Sequence, residues 1–253
     1  MTCGRDDRPV LVLQHASFDG PAALGDWLRR RGVPFRVFNT EAGDEFPERL
    51  AGFRALAVLG GPMSANDDLP SLRRAERLIL QGLRDDIPVA GHCLGGQLMA
   101  RAMGARVGAS PAPEIGWIDV RVEPQAAARQ WMGDEPVQRV FHWHYEAFEV
   151  PAGATRLASS AACPHQAFAI GRHLAMQFHV ELDAAKLQEW HDQPGEEYRQ
   201  ALGRHPSVQT LEAMRAELGQ SLARQLALAD RLWSRWLGLT EGVASAATSS
   251  IAQ

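Results

Sequence analysis

Pro88-Val89-Ala90-Gly91-His92-Cys93-Leu94-Gly95-Gly96-Gln97-Leu98-Met99-Ala100 is the stretch on which the fold turns. A short apolar run enters it and an Ala- and Leu-rich helical pattern leaves it. One cysteine sits at the junction, with glycines on both sides. That order predicts a strand, a tight turn and a helix, with Cys93 presented on the turn. Glycine accepts the unusual dihedrals such a turn needs and keeps bulk away from the sulfur. The turn also places Cys93 at a helix N-terminus, where unpaired N–H groups and the macrodipole favour thiolate over thiol. Taken alone, the stretch reads rather as a buried structural cysteine in a Gly-rich loop.

The flanking chain repeats the same alternation. Val10 to His15, Phe35 to Phe38, Ala55 to Leu59 and Ile87 to Ala90 are apolar runs too short for helices and long enough for buried strands. Between them, Ala22 to Arg31 and Leu69 to Leu83 carry apolar residues at helical spacing. Alternating strands and helices predict an α/β fold: a three-layer αβα, flavodoxin-like arrangement around a mostly parallel sheet. In such sheets the working site lies at the carboxyl ends of the strands, where Gly60-Gly61 and Cys93 both fall.

The second half reads as shorter strands: Trp117 to Val122, Val140 to His144, and a hairpin of Phe168 to Ile170 with Leu174 to His179. Asp183 is placed to N-cap a helix through Leu187 and Trp190. Ser207 to Leu237 has one apolar face, with Gly219 a point where it would bend or break. Val243 to Gln253 is small and polar and is expected to fray. The reading divides the chain into a main domain over 1–192, a helical extension packed on it over 193–242, and a flexible tail over 243–253.

Composition narrows the class. With 253 residues, 45% hydrophobic and 22% charged, the chain can bury a sizeable core, and its net charge of -4 gives no argument for nucleic acid or an anionic membrane. Cys3, Cys93 and Cys163 have neither disulfide-framework nor zinc-ribbon spacing. No apolar segment resembles a signal peptide or a membrane span, so a reducing, cytoplasmic setting is expected. Lys186 is the only lysine among the 26 basic residues, a bias that reads as codon composition.

His179-Val180-Glu181 supplies the partners that a nucleophilic cysteine needs. On an extended chain i and i+2 share a face, so the carboxylate can fix the imidazole while its other nitrogen meets the thiol. Gly60-Gly61-Pro62 after the third strand is either a plain turn or a source of backbone N–H donors for an oxyanion. His142 and His144 flank Trp143, and no third ligand at matching spacing accompanies them, so this segment reads as an aromatic and polar strand lining a pocket. No metal and no cofactor is expected.

Three motifs together resemble a known family. Gly60-Gly61-Pro62-Met63-Ser64, Gly91-His92-Cys93-Leu94-Gly95-Gly96-Gln97 and Gln177-Phe178-His179-Val180-Glu181 are similar, in order and spacing, to the signatures of class I (triad) glutamine amidotransferase domains. Glu114-Ile115-Gly116-Trp117 and His142 to Phe148 further resemble the stand-alone branch similar to the glutaminase domain of GMP synthase. The match covers residues 8 to 190. The resemblance implies that Cys93 attacks the glutamine amide, His179 shuttles the proton and Glu181 orients it. It further implies that the N–H groups of Gly61 and Leu94 hold the oxyanion. Gly60, Gln97, His144, Tyr145 and Glu146 would contribute to substrate binding.

Two departures matter. Val180 stands where the family usually has proline. His144-Tyr145-Glu146 stands where the GMP-synthase branch has His-Gly-Asp, so the substrate is either glutamine or another γ-glutamyl compound. The chain shows neither a Ser-Gly-Gly-x-Asp-Ser type loop nor a P-loop, which points to a separate synthase subunit as ammonia acceptor or to simple hydrolysis. The amphipathic C-terminal helix makes a homodimer an option. A cysteine peptidase or deglycase, which would place histidine directly after the cysteine, and a non-catalytic binding or regulatory protein are the competing readings.

Overall fold

The structure, a computed structural model, describes residues 6–240; the expected frayed tail lies outside them. Sixteen elements follow one another. The first half holds β1 (Val10–Gln14), α1 (Ala22–Arg30), β2 (Phe35–Asn39), β3 (Ala55–Val58), α2 (Pro70–Arg84), β4 (Val89–His92) and α3 (Leu94–Ala102). The second half holds β5 (Val107–Val122), α4 (Ala126–Met132), β6 (Val137–Phe148), β7 (Thr155–Ser159), β8 (Ala167–Ile170), β9 (His173–Met176), α5 (Ala184–Asp192), α6 (Gly195–Ala201) and α7 (Leu211–Leu237).

All nine strands form one sheet in the order β2-β1-β3-β4-β9-β8-β7-β5-β6. The five strands from β2 to β9 pair in parallel, and the remaining pairings are antiparallel. Following those pairings across the sheet, only β8 and β5 run against the rest, so the sheet is mostly parallel in strand direction. Side chains along β1 and β3 alternate between two cores, as the two-residue period requires. Val10, Val12, Ala55 and Ala57 face the cluster under α1, α4 and α7, while Leu11, Leu13, Leu56 and Val58 face that under α2 and α3. A third cluster, built on Ile115, Trp117, Phe141 and Trp190, lies beneath α5 and α6.

The structure departs from the sequence reading at several elements. The last strand stops at Met176 rather than running to His179, and the His179 N–H is held by the Phe141 carbonyl at 2.8 Å. β5 and β6 are far longer than their apolar stretches; a register irregularity between Ala109 and Glu114, spanning Pro111 and Pro113, hides the strand period. α4 and β7 carry too little pattern of their own to be seen in the sequence. α7 starts at Leu211, capped by Thr210, and passes Gly219 without a break. Packing outweighs the glycine's helix penalty: Gln225 accepts from the Phe141 N–H at 2.7 Å and Asp230 from the Trp27 indole at 2.7 Å. Among the described residues no helix is long and apolar enough to cross a membrane.

Candidate active site

Cys93 stands between β4 and α3 with φ 48° and ψ -108°, a conformation that L residues rarely adopt. Its N–H is held by the Met176 carbonyl at 2.8 Å. The surrounding glycines serve a different purpose from the one expected. A Cβ at Gly91 would stand 2.5 Å from the Gly95 carbonyl, one at Gly96 2.6 Å from the Met176 oxygen, and one at Gly95 would overlap the Val58 carbonyl. They let α3 lie directly on the backbones of β3, β4 and β9, and that close approach pins the turn.

His179 and Glu181 lie in the turn after β9, not on an extended strand, yet the pairing expected of them is made. His179 Nδ1 is 2.7 Å from Glu181 Oε1, both side chains are buried, and the imidazole lies close enough to the Cys93 side chain to feel it electrostatically. Burial opposes the charged imidazole, but the Glu181 carboxylate and the Cys93 sulfur outweigh it and raise His179 to about 10. Burial also opposes the Glu181 charge, and Lys186 with His179 overcomes that, holding the carboxyl well below its ordinary value. Val180 is fully buried and packs in the core under α1.

Sequence reasoning passed over Lys186. Its ammonium lies 3.1 Å from Glu181 Oε1 and 3.0 Å from the Gly20 carbonyl, and it pairs with Asp19. The side chain is 3% exposed and packs under Trp190, whose ring stands edge-on to His179 at 4.8 Å. The signal was present: the chain's sole lysine, in a protein that otherwise uses arginine. A compact ammonium fits between two carboxylates and a carbonyl where a planar guanidinium would not. Asp19 and Trp190 had no signal of their own.

Gly60 lies behind the histidine, where a Cβ would stand 2.9 Å from the His179 ring and overlap Asp19. Gly61 is on the cavity wall, beside Leu94, the first residue of α3. Gln97 donates to the Glu146 carbonyl at 3.0 Å, and the Glu146 carboxylate accepts from Ser64 Oγ at 2.8 Å. Gln177 Nε2 lies 3.5 Å from the Cys93 sulfur. Tyr145 lies against Trp143 in the cluster beneath α6, and burial pushes its phenol up to about 12. Gly61, Ser64, Cys93, Gln97, Tyr145, Glu146 and His179 line a cavity of about 750 Å³. Gln14 and His15 stay off its wall; Gln14 instead braces the loop that brings in Phe18 and Asp19, donating to the Ala16 carbonyl at 2.8 Å.

Among the described residues, two groups each bring three metal-ligating side chains within 4.8 Å of one another. In the group of Asp19, His179 and Glu181, both carboxylates already pair with the Lys186 ammonium. The other group corrects the sequence reading of His142 and His144, because β5 supplies the third side chain, Glu114, paired across the ladder with His144. Glu114 lies 3.1 Å from His144 Nε2 and accepts from Ser160 at 2.6 Å and from Gln166. Burial opposes its charge, and those partners reverse the effect, lowering it to about 2. His142 has no hydrogen-bond partner among the described residues, and burial lowers it to about 3. The carboxylate is thus already satisfied by protein donors.

The chain as a whole is similar to known proteins. The family model "Glutamine amidotransferase class-I" matches residues 22–189. The glutamine amidotransferase-like protein YfeJ of Salmonella typhimurium is 31% identical over 191 residues, covering 71% of this chain and 80% of its own length. The glutamine-hydrolyzing GMP synthase of Vibrio vulnificus is 32% identical over 189 residues, and the match spans 74% of this chain but 35% of the synthase. A glutamine amidotransferase structure from Methylobacillus flagellatus superposes with a TM-score of 0.86 at 34% identity, covering 94% of this chain and 98% of that one. Another from Thermotoga maritima gives 0.80 at 26% identity, covering 91% and 98%.

Proposed function

The chain belongs to the class-I glutamine amidotransferases, and on that footing we propose that it hydrolyses a γ-glutamyl amide through a thioester on Cys93. The carrying observation is that Cys93 and His179 line the same cavity while Glu181 holds His179 Nδ1 at 2.7 Å. His179, held in its charged form by Glu181, already carries the proton as the Cys93 sulfur attacks the γ-carbonyl carbon, and passes it to the nitrogen as the C–N bond breaks. Water then attacks the thioester with His179 as base, releasing the γ-carboxylate and freeing the Cys93 sulfur. Glu181 holds the imidazole in the orientation this needs and balances its charge.

The N–H groups of Gly61 and Leu94 are assigned to the oxyanion. Leu94 opens α3, so its N–H has no acceptor within the helix. Gln97, His144, Tyr145 and Glu146 are assigned to the glutamyl end, with the Glu146 carboxylate facing the α-ammonium; Gly60 acts from behind by leaving room for His179. The released ammonia or amine leaves to solvent or to a separate synthase subunit, in a cytoplasmic setting that keeps the thiol reduced. The test is glutamate release from glutamine and from γ-glutamyl amides by the wild type and by Cys93→Ala, with acyl-enzyme trapping read by mass spectrometry. Cys93-dependent release and a trapped adduct are the expected result; equal release by both proteins overturns the assignment.

A further inference from the structure

We propose that the amide cleaved at this site carries a cationic leaving amine, so that the substrate is the γ-glutamyl derivative of a diamine or a similar alkylammonium-bearing amine. This rests on the γ-glutamyl hydrolase reading and names its substrate class.

The size of the cavity comes first. Its volume of about 750 Å³ lies within the roughly 300–1,000 Å³ that encloses a drug-sized ligand, well beyond what glutamine alone fills. Cys93, Gln97 and Glu146 occupy one end, where the glutamyl group must sit for its carbonyl to reach the sulfur. The Ser17–Asp19 loop and the segment joining α5 to α6 supply much of the remaining lining. It is therefore the leaving amine that must fill the remaining space.

The wall there has one sign of charge. Six carboxylates line the cavity and neither arginine nor lysine does, in a chain with 26 basic residues. Two of the six are already paired, Asp19 with Lys186 and Glu196 with Arg199. Glu189 on α5 and Glu197 on α6, both exposed to solvent, line the cavity with no ion pair among the described residues. An anionic or strongly polar amine would meet uncompensated repulsion here.

The remaining wall is aromatic: Phe18, Trp143 and Trp190. Phe18, 38% exposed, gives this wall an apolar face open to an incoming ligand. Aromatic faces alternating with carboxylates match an alkyl stem that ends in an ammonium: the stem packs on the rings, and the charge gains both cation–π and ion-pair contacts.

The experiment compares three γ-glutamyl amides of matched length on the full chain: γ-glutamyl-putrescine (cationic), γ-glutamyl-butylamine (neutral) and γ-glutamyl-4-aminobutyrate (anionic). The cationic amide is expected to exceed the neutral one in kcat/KM about ten-fold, the size of one or two such contacts, with the anionic amide slowest. In Glu189→Gln/Glu197→Gln the ratio of cationic to neutral rates, which cancels any general loss of activity, should collapse toward one. Calorimetric binding to Cys93→Ala should follow the same order without turnover. A neutral or anionic amide cleaved as fast as the cationic one overturns this inference and leaves γ-glutamyl hydrolysis standing. Absence of Cys93-dependent turnover for all three and for glutamine overturns the underlying reading, and this inference with it.

Discussion

The Lys186 ammonium lies 3.1 Å from Glu181 Oε1, the same oxygen that faces His179 Nδ1 at 2.7 Å. One buried carboxylate oxygen therefore serves two cationic partners, and Asp19 supplies the second negative charge that balances them. Removing Lys186 would leave two carboxylates in a buried site. Lys186→Met is expected to lose about 3–5 kcal/mol, as for the breaking of a buried pair. Lys186→Met/Asp19→Asn should recover part of that by removing the stranded charge. Urea denaturation at pH 7 measures both, and a loss below about 1 kcal/mol for the single variant would show that the ammonium is not what balances this site.

The raised His179 value has a definite sign in pH. Its folded value of about 10 lies above the unfolded value of about 6.5. The stabilisation from this group is therefore fully present below pH about 6.5 and is lost as pH rises through about 10. Part of the elevation comes from the Cys93 sulfur. In Cys93→Ala the imidazole should titrate at lower pH than in the wild type, though still above 6.5 because Glu181 remains. Histidine-labelled NMR titrations read this directly; unchanged midpoints in the variant would remove the cysteine from the coupling.

Cys93 holds its unusual backbone at φ 48° and ψ -108° against the preference of any residue with a Cβ. Such conformations cost of order 1–3 kcal/mol, whereas glycine reaches the mirror of the β region freely. Both Cys93→Ala and Cys93→Gly lack the thiol, so comparing them isolates the backbone. Cys93→Gly should be more stable by about 1 kcal/mol after glycine's own entropic cost. Equal stability would mean that the turn imposes no strain.

Glycines of this chain separate into those that let backbones meet and those that do not. Gly95→Ala places a methyl into the Val58 carbonyl and should prevent α3 from seating, with a loss above about 3 kcal/mol or failure to fold. Gly219, on α7, has nothing within 4 Å of its Cβ position. Gly219→Ala should gain about 0.5–1 kcal/mol from helix propensity. Thermal unfolding of the two variants checks the pair, and destabilisation by Gly219→Ala would show that the helix uses that glycine.

Much of the parallel half of the sheet was legible because its information is local. Each strand there is a short apolar run with a glycine or a polar residue at its end, and each helix carries its own spacing. The same holds for the three motifs, whose order along the chain is itself evidence. The antiparallel half was harder to read because Pro111, Pro113 and an irregular register interrupt the alternation of β5, and its length depends on pairing with β6.

The amino-acid sequence by itself determined the class of fold, the cysteine on its turn and the residues that meet it, since local pattern and motif order carry these. Tertiary structure alone decided what surrounds them. Lys186 reaches the loop before α1 across 166 residues of chain, and Glu114 meets His144 across 30. Trp190 comes under His179 only because α5 folds back over the strand ends. Such contacts depend on which segments become neighbours, and in a sheet whose order departs from the order of the chain no local period encodes that. The glycines beside Cys93 show the difference at a single site: sequence marked the turn as tight, and only the packed strands show that it is tight because a helix rests on bare backbone.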